Sequence, residues 1–143
     1  MNKKAEAFKK FIDEKQITCF TIDKLPKDKL NTVVFRSHID INGQTLATGI
    51  IFDSSIYSII RVQVVNKVIE DKAKDRLLWE INSLNKQYKV FKYYFSDDGG
   101  LYLDSCILCE DGKVSGELVY TVLNVIIKHL ENEYKNIMKG LWQ

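Results

Sequence analysis

Ile81-Asn82-Ser83-Leu84-Asn85, followed by Lys89-Val90-Phe91-Lys92-Tyr93-Tyr94-Phe95 and then Asp97-Asp98-Gly99-Gly100, is the stretch that decides the fold. The first block belongs to a helix. Ile69, Ala73, Leu77, Ile81, Leu84 and Tyr88 recur at three- and four-residue steps, so the spacing predicts a helix from Val68 to Gln87 with one core-facing stripe. The second block alternates Phe91, Tyr93 and Phe95 with Lys92 and Tyr94, the period of a strand with one buried face. Two acids and two glycines form a hairpin turn, because the acids favour the turn and glycine supplies positive φ. A return strand from Leu101 to Cys109 follows. Glu110-Asp111-Gly112-Lys113 then turns into a last helix with Ser115 at its N-cap. That helix carries an apolar face from Leu118 to Met138, wider than one sheet contact needs. It is either pressed from two sides or covered by a partner.

Upstream, Ala5, Ala7, Phe8, Phe11 and Ile12 place an amphipathic helix over Lys3 to Lys15, with its lysines and acids outside. Gln16 to Ile22 reads as a short edge strand or an extended linker, broken by Lys24-Leu25-Pro26-Lys27-Asp28 because proline cannot donate to a ladder. Asn31 to Ile41 alternates Val33, Phe35, Ser37, Ile39 and Ile41 against Val34, Arg36, His38 and Asp40. Asn42-Gly43 is a hairpin signal, since a type I′ turn needs positive φ at both positions. Thr45 to Phe52 and Ile56 to Val65 complete a three-stranded meander. The expected fold class is α+β, with an antiparallel five-stranded sheet packed with helices in the order α-β-β-β-α-β-β-α.

With 143 residues, one proline and seven glycines, residues 1–143 fit a single domain. The hydrophobic share of 45% and charged share of 28% are those of an ordinary folded protein. Twenty-one basic against nineteen acidic residues leave a net charge of +2, with signs interspersed. A nucleic-acid reader concentrates its positive charge on one face, so no nucleic-acid partner is expected. No window approaches the roughly 18 uninterrupted apolar residues of a membrane span, and the acids and lysines behind Met1 interrupt any leader-like apolar run. A cytoplasmic location with no membrane partner is the expectation, and three cysteines suit reduced thiols there.

No reactive constellation stands out. Cys106-Ile107-Leu108-Cys109 has C-x-x-C spacing, but within a strand residues three apart point to opposite faces, so small buried or half-buried thiols are expected. His38 shares the polar face of its strand. His129 is explained by a surface ion pair with Glu133 one turn on. Asp97, Asp98 and Asp104 lack the ligand alternation of a calcium loop. The expectation is no catalytic residues, no metal and no cofactor. Packing accounts for most aromatics; Tyr94, Tyr102 and Trp142 are the candidates for an exposed, partner-binding patch.

Leu78-x-x-Ile81-Asn82-x-x-Asn85, the aromatic strand, Asp97-Asp98-Gly99, Leu101-x-Leu103-x-x-Cys106 and the apolar last helix, taken in order, resemble the YbjN-like domain family. The Cys19 to Lys29 segment has no counterpart in it. The resemblance implies a type III secretion chaperone-like fold and a role in bacterial sensory regulation of little defined mechanism. It also implies a homodimer that binds an extended stretch of another protein. Asn82 and Asn85 are then expected to cap or bridge the helix to neighbouring backbone. The leading expectation is a non-enzymatic, chaperone- or adaptor-like protein-binding module. The alternative is a small-molecule sensor or small enzyme with a pocket between sheet and helices. A neutralising partner for a toxin would share the physics of the first.

Overall fold

The computed structural model describes residues 1–142, and the statements that follow concern those residues. They form helix α1 (Lys3–Glu14), strands β1 (Thr21–Lys24), β2 (Val33–Ile41), β3 (Gln44–Phe52) and β4 (Tyr57–Val65), helix α2 (Asp71–Gln87), strands β5 (Lys92–Phe95) and β6 (Leu101–Leu108), and helix α3 (Gly116–Trp142). All pairings are antiparallel, in the sheet order β1-β2-β3-β4-β6-β5. The sheet has six strands rather than the five expected. The extra one, β1, takes in only Thr21 and Ile22 of the Gln16 to Ile22 segment left open between strand and linker, and continues through Lys24, the first residue of the expected break. Ile22 pairs with Phe35 over the core, and Asp23 reaches Arg36 on the other face at 3.0 Å. Four residues are too few for period two to stand out in the sequence.

One face of the sheet carries the helices. Phe35, Ile39 and Ile41 of β2, Ile50 and Phe52 of β3, Ile60 and Val62 of β4, and Leu101 and Leu103 of β6 are buried there. Phe8 of α1 sits among Phe35, Phe52 and Tyr120, with ring centroids 5.0, 5.3 and 6.5 Å away. Rings at such separations add roughly 0.5–1.5 kcal/mol per pair beyond their buried area. Gly116 lets α1 approach α3, because a Cβ there would stand 2.1 Å from the Phe11 ring. The wide apolar face of α3 is filled from within the chain: the sheet lies beneath it, with α1 and α2 against its flanks. Pressing from several sides accounts for most of that face, while Leu118 at its start stays exposed.

Other boundaries shift for local reasons. Helix α2 starts at Asp71, not Val68, because the Val68 N–H donates to Gly99 O at 2.9 Å and fastens that residue to the β5–β6 turn. Ile69, expected in the core stripe, is therefore 82% exposed. Strand β5 begins at Lys92; ahead of it Val90 O accepts from the Ser105 hydroxyl at 2.6 Å. Ser115 Oγ accepts from the Leu118 N–H at 3.2 Å, as expected of an N-cap. At the β2–β3 turn Asn42 and Gly43 have φ of 50° and 84°, which a type I′ turn demands. Lys4, placed on the outer face of α1 by the sequence, is buried. Its ammonium donates to Tyr57 O at 2.5 Å and stands 3.8 Å from Asp53.

Candidate functional site

The second face of the sheet carries no helix, and the register of the strands says what it presents. Residues paired across neighbouring strands form rows running over the sheet. One row is Arg36 on β2, Gly49 on β3, Arg61 on β4, Asp104 on β6 and Lys92 on β5. Beside it, Gln63, Tyr102 and Tyr94 stand in line, with His38 paired to Ala47 farther across. On the other side run Val34, Ile51, Ile59 and Cys106, and then Tyr57 and Leu108. Small residues occupy the middle strand, so the face sinks at Ala47 and Gly49. The resulting trough holds about 800 Å3, with Arg36 and His38 on one wall and Arg61, Gln63, Tyr94 and Tyr102 on the other.

Both walls are held by polar bonds. Arg61 donates Nε and Nη2 to the two oxygens of Asp104, each at 2.9 Å, a bidentate pair. That pairing raises the Arg61 pKa. Tyr94 donates its hydroxyl to Asp104 at 3.1 Å, and burial together with that carboxylate raises the Tyr94 pKa. Its ring stacks on Tyr102 at 5.8 Å between centroids, and Gln63 donates to the Tyr102 hydroxyl at 3.0 Å. On the opposite wall Arg36 donates Nε and Nη2 to one oxygen of Asp23. At the rim, Asp98 accepts from Ser96 and from the Gly100 N–H, which holds its carboxyl below the usual range.

Tyr94 and Tyr102, two of the sequence's candidates, are thus brought together, half-buried in a bonded wall rather than forming a free patch. Trp142 is not with them; it stands 81% exposed at the end of α3, in the helical layer. Arg36, Gly49 and Arg61 were missed. Their signal lay in the alternation of β2, β3 and β4, but only strand pairing aligns them.

The remaining candidates fall apart chemically. Cys106 is exposed on the open face and Cys109 is buried beside Ser58, so the thiols lie on opposite sides of the strand; Cys106 is more open than expected. Among the described residues no cluster of three or more His, Cys, Asp or Glu could hold a metal ion. His129 is not the surface residue of an ion pair. It is buried, its Nε2 lies 2.7 Å from the Tyr93 hydroxyl, and its Nδ1 has no partner. Rings of Tyr88 and Phe91 close around it at 4.6 and 4.3 Å. Burial pushes its pKa down, against a smaller opposing pull from Glu133.

The outer edge of β5 is closed. The carboxamide of Asn85 on α2 accepts from the Tyr93 N–H at 2.7 Å and donates to Tyr93 O at 3.1 Å, standing where a seventh strand would pair. Asn85 therefore bridges helix to backbone as expected. A smaller hollow of about 370 Å3 lies where β3 begins and β4 ends, against Tyr134 and Met138 of α3. No helix among the described residues is long and apolar enough to cross a membrane. No protein-family model matches the chain, and a search of curated proteins finds no significant match in sequence.

Proposed function

We propose that this chain is a non-enzymatic protein-binding module, chaperone- or adaptor-like, acting in the cytoplasm through the helix-free face of its sheet. The observation that carries the reading is the trough itself: an open hollow of about 800 Å3 with a small-residue floor and walls already fixed by hydrogen bonds. Rigid walls spare a ligand the cost of ordering them. The groups in the trough suit recognition better than chemistry, since the nearest histidine, His38, has no nucleophile or carboxylate bonded to it. The YbjN-like resemblance and its type III secretion chaperone-like fold belong to the same proposal. Apart from the added β1, the element order α-β-β-β-α-β-β-α that the resemblance led us to expect is the support for it.

Self-association is part of the proposal, on new ground. Most of the apolar face of α3 is covered inside the chain, but Leu118, Val125 and Trp142 on α3 and Leu78 and Trp79 on α2 remain exposed. Light scattering at micromolar concentration should return twice the monomer mass; a clean monomer would remove the dimer. For the module, affinity capture from lysate should recover a defined protein with the wild-type chain and lose it with Ala47→Phe, which fills the trough floor. Equal recovery by both would place binding elsewhere, and no recovery in several media would count against the module.

The alternative, a small-molecule sensor, is favoured by one observation, the hollow of about 370 Å3 between sheet and α3. A metabolite thermal-shift screen separates the two, because a ligand bound only by the folded state raises the melting temperature by mass action.

A further inference from the structure

We propose that His129 is an acid-sensitive latch on the closed edge of the sheet: a proton on its imidazole unseats Tyr93 and, with it, the Asn85 clamp, so that β5 opens locally. Such a latch operates whatever the trough holds. Tyr93 is gripped at both ends. Its hydroxyl lies 2.7 Å from His129 Nε2, and its backbone N–H and O are taken by the Asn85 carboxamide at 2.7 and 3.1 Å. One residue therefore ties the buried imidazole of α3 to the block on the outer edge.

Histidine is a costly choice for that place. The side chain is almost fully buried, and its Nδ1 has no hydrogen-bond partner. Whichever nitrogen carries the single proton of the neutral ring, one nitrogen stays unsatisfied. An apolar side chain would fill the space beside the Tyr88 and Phe91 rings without that penalty. What histidine alone supplies is a charge that changes between about pH 5 and 8.

A second proton makes both nitrogens donors. Nε2–H can still donate to the Tyr93 oxygen, but Nδ1–H then brings positive charge to a place without an acceptor. Glu133, one turn along α3, favours the charged ring, and both Glu133 and Glu80 of α2 act on the Tyr93 hydroxyl. Lys92 of β5 is exposed, its ammonium held on the Asn85 and Tyr88 carbonyls. Burial outweighs the pull of Glu133, so the charged ring is the one expelled.

The cover over the ring is thin. Between α2 and β5, Lys89 and Val90 are exposed and Tyr88 is half-buried. Side chains hold this connector: Ser105 Oγ donates to Val90 O, and the Lys92 ammonium to Tyr88 O. Moving it outward brings water to Nδ1 and draws Tyr93 away from the Asn85 carboxamide. Strand β6 keeps its other partner, β4, along eight paired positions, so the rest of the sheet stands.

Amide hydrogen exchange of the full chain between pH 5 and 7.5, corrected for the intrinsic pH dependence of exchange, tests the latch. The opening constant at position 93 should rise about tenfold for each pH unit below about 6.5. It should exceed that of Ile50 and Ile60 in the central strands throughout, and low urea should leave it unchanged, as a local opening requires. His129→Leu with Tyr93→Phe, which removes the titrating ring and the hydroxyl together, should flatten the slope. His129→Gln, uncharged at every pH, should flatten it as well. Asn85→Ala should open the amide already at pH 7.5. Three results would overturn the inference: an unchanged slope in either His129 variant, exchange at position 93 only together with Ile50 and Ile60, or a position 93 still protected at pH 7.5 in Asn85→Ala.

Discussion

Tyr93→Phe and His129→Leu, made singly and together, form the sharpest test of how the corner between α2, β5 and α3 is held. Tyr93 and His129 are 3% and 6% exposed, and their 2.7 Å hydrogen bond is the only one His129 makes. Removing the tyrosine hydroxyl leaves both imidazole nitrogens buried without partners, at a cost of about 1–3 kcal/mol. His129→Leu orphans the hydroxyl instead and also gives up ring contacts with Tyr88 and Phe91, so its cost is at least as large. In the double variant neither polar group remains, and replacing both partners by apolar groups can be nearly neutral. Urea unfolding at pH 7.5 should therefore give a double variant less destabilised than the two singles added, by about 1–2 kcal/mol. Additivity to within about 0.3 kcal/mol would refute the reasoning, because residues that truly share a bond do not add.

The same pair sets a pH dependence whose sign is fixed. His129 is held below its ordinary pKa by burial, so the unfolded chain takes up the proton more readily than the folded one. Its neutral form favours folding fully above about pH 6.5, and that advantage is lost as pH falls from there toward the depressed folded value. While one proton separates the two states, the loss runs at about 1.4 kcal/mol per pH unit. The groups near it are the rings of Tyr88 and Phe91, the Tyr93 hydroxyl, whose pKa burial raises, and Glu133, which pulls the other way. Glu80, raised by burial and then by Glu133, titrates in the opposite sense and is present in both proteins compared. The comparison thus belongs between pH 5 and 7. Wild type should lose stability there and His129→Leu should not; parallel curves would overturn the assignment.

Gly116→Ala should destabilise the fold by about 1–3 kcal/mol in the same assay, because the new methyl overlaps the Phe11 ring. Asn85→Ala should cost about 1–3 kcal/mol by freeing the Tyr93 backbone, and light scattering should show faster association of unblocked β5 edges on mild heating. Lys4→Ala should cost about 1–3 kcal/mol by leaving Tyr57 O without its donor; tolerance without loss would mean that water replaces the ammonium. Of the three thiols, Cys19 and Cys106 should react with Ellman's reagent in the native state, and Cys109 only after unfolding.

The elements legible in the sequence were those with a long period or a strong turn. Strands β2 to β4 alternate over nine residues each, and Asn42-Gly43 fixes the turn between the first two, so their faces were read correctly. What escaped was set by partners distant in the chain. β1 is a strand because Phe35 and Arg36 receive it, and Val68 leaves the helix because Gly99 holds it. Nor could helical spacing reveal that His129 faces Tyr93, thirty-six positions away. Spacing placed it opposite Glu133, a contact that one isolated helix would make. Lys4 misled for a similar reason, since its destination is a carbonyl on β4.

The candidate site follows the same division and exposes what makes it informative. Tyr94 and Tyr102 were visible as aromatics on strands flanking one hairpin, a local relation. Arg36, Gly49 and Arg61 come from three strands and acquire a joint meaning only in register. None of the three contributes to the buried core, which lies on the other face. A Cβ at position 49 would stand 3.3 Å from Cγ1 of the buried Val34, so glycine gives that side chain room, although it costs a strand stability relative to residues that pack. Its φ is not in the left-handed region, so no turn accounts for the choice. If Gly49→Val lowers stability in urea unfolding, the packing of Val34 accounts for the glycine; if stability rises, Val34 gives way and the trough is kept open at the expense of the fold.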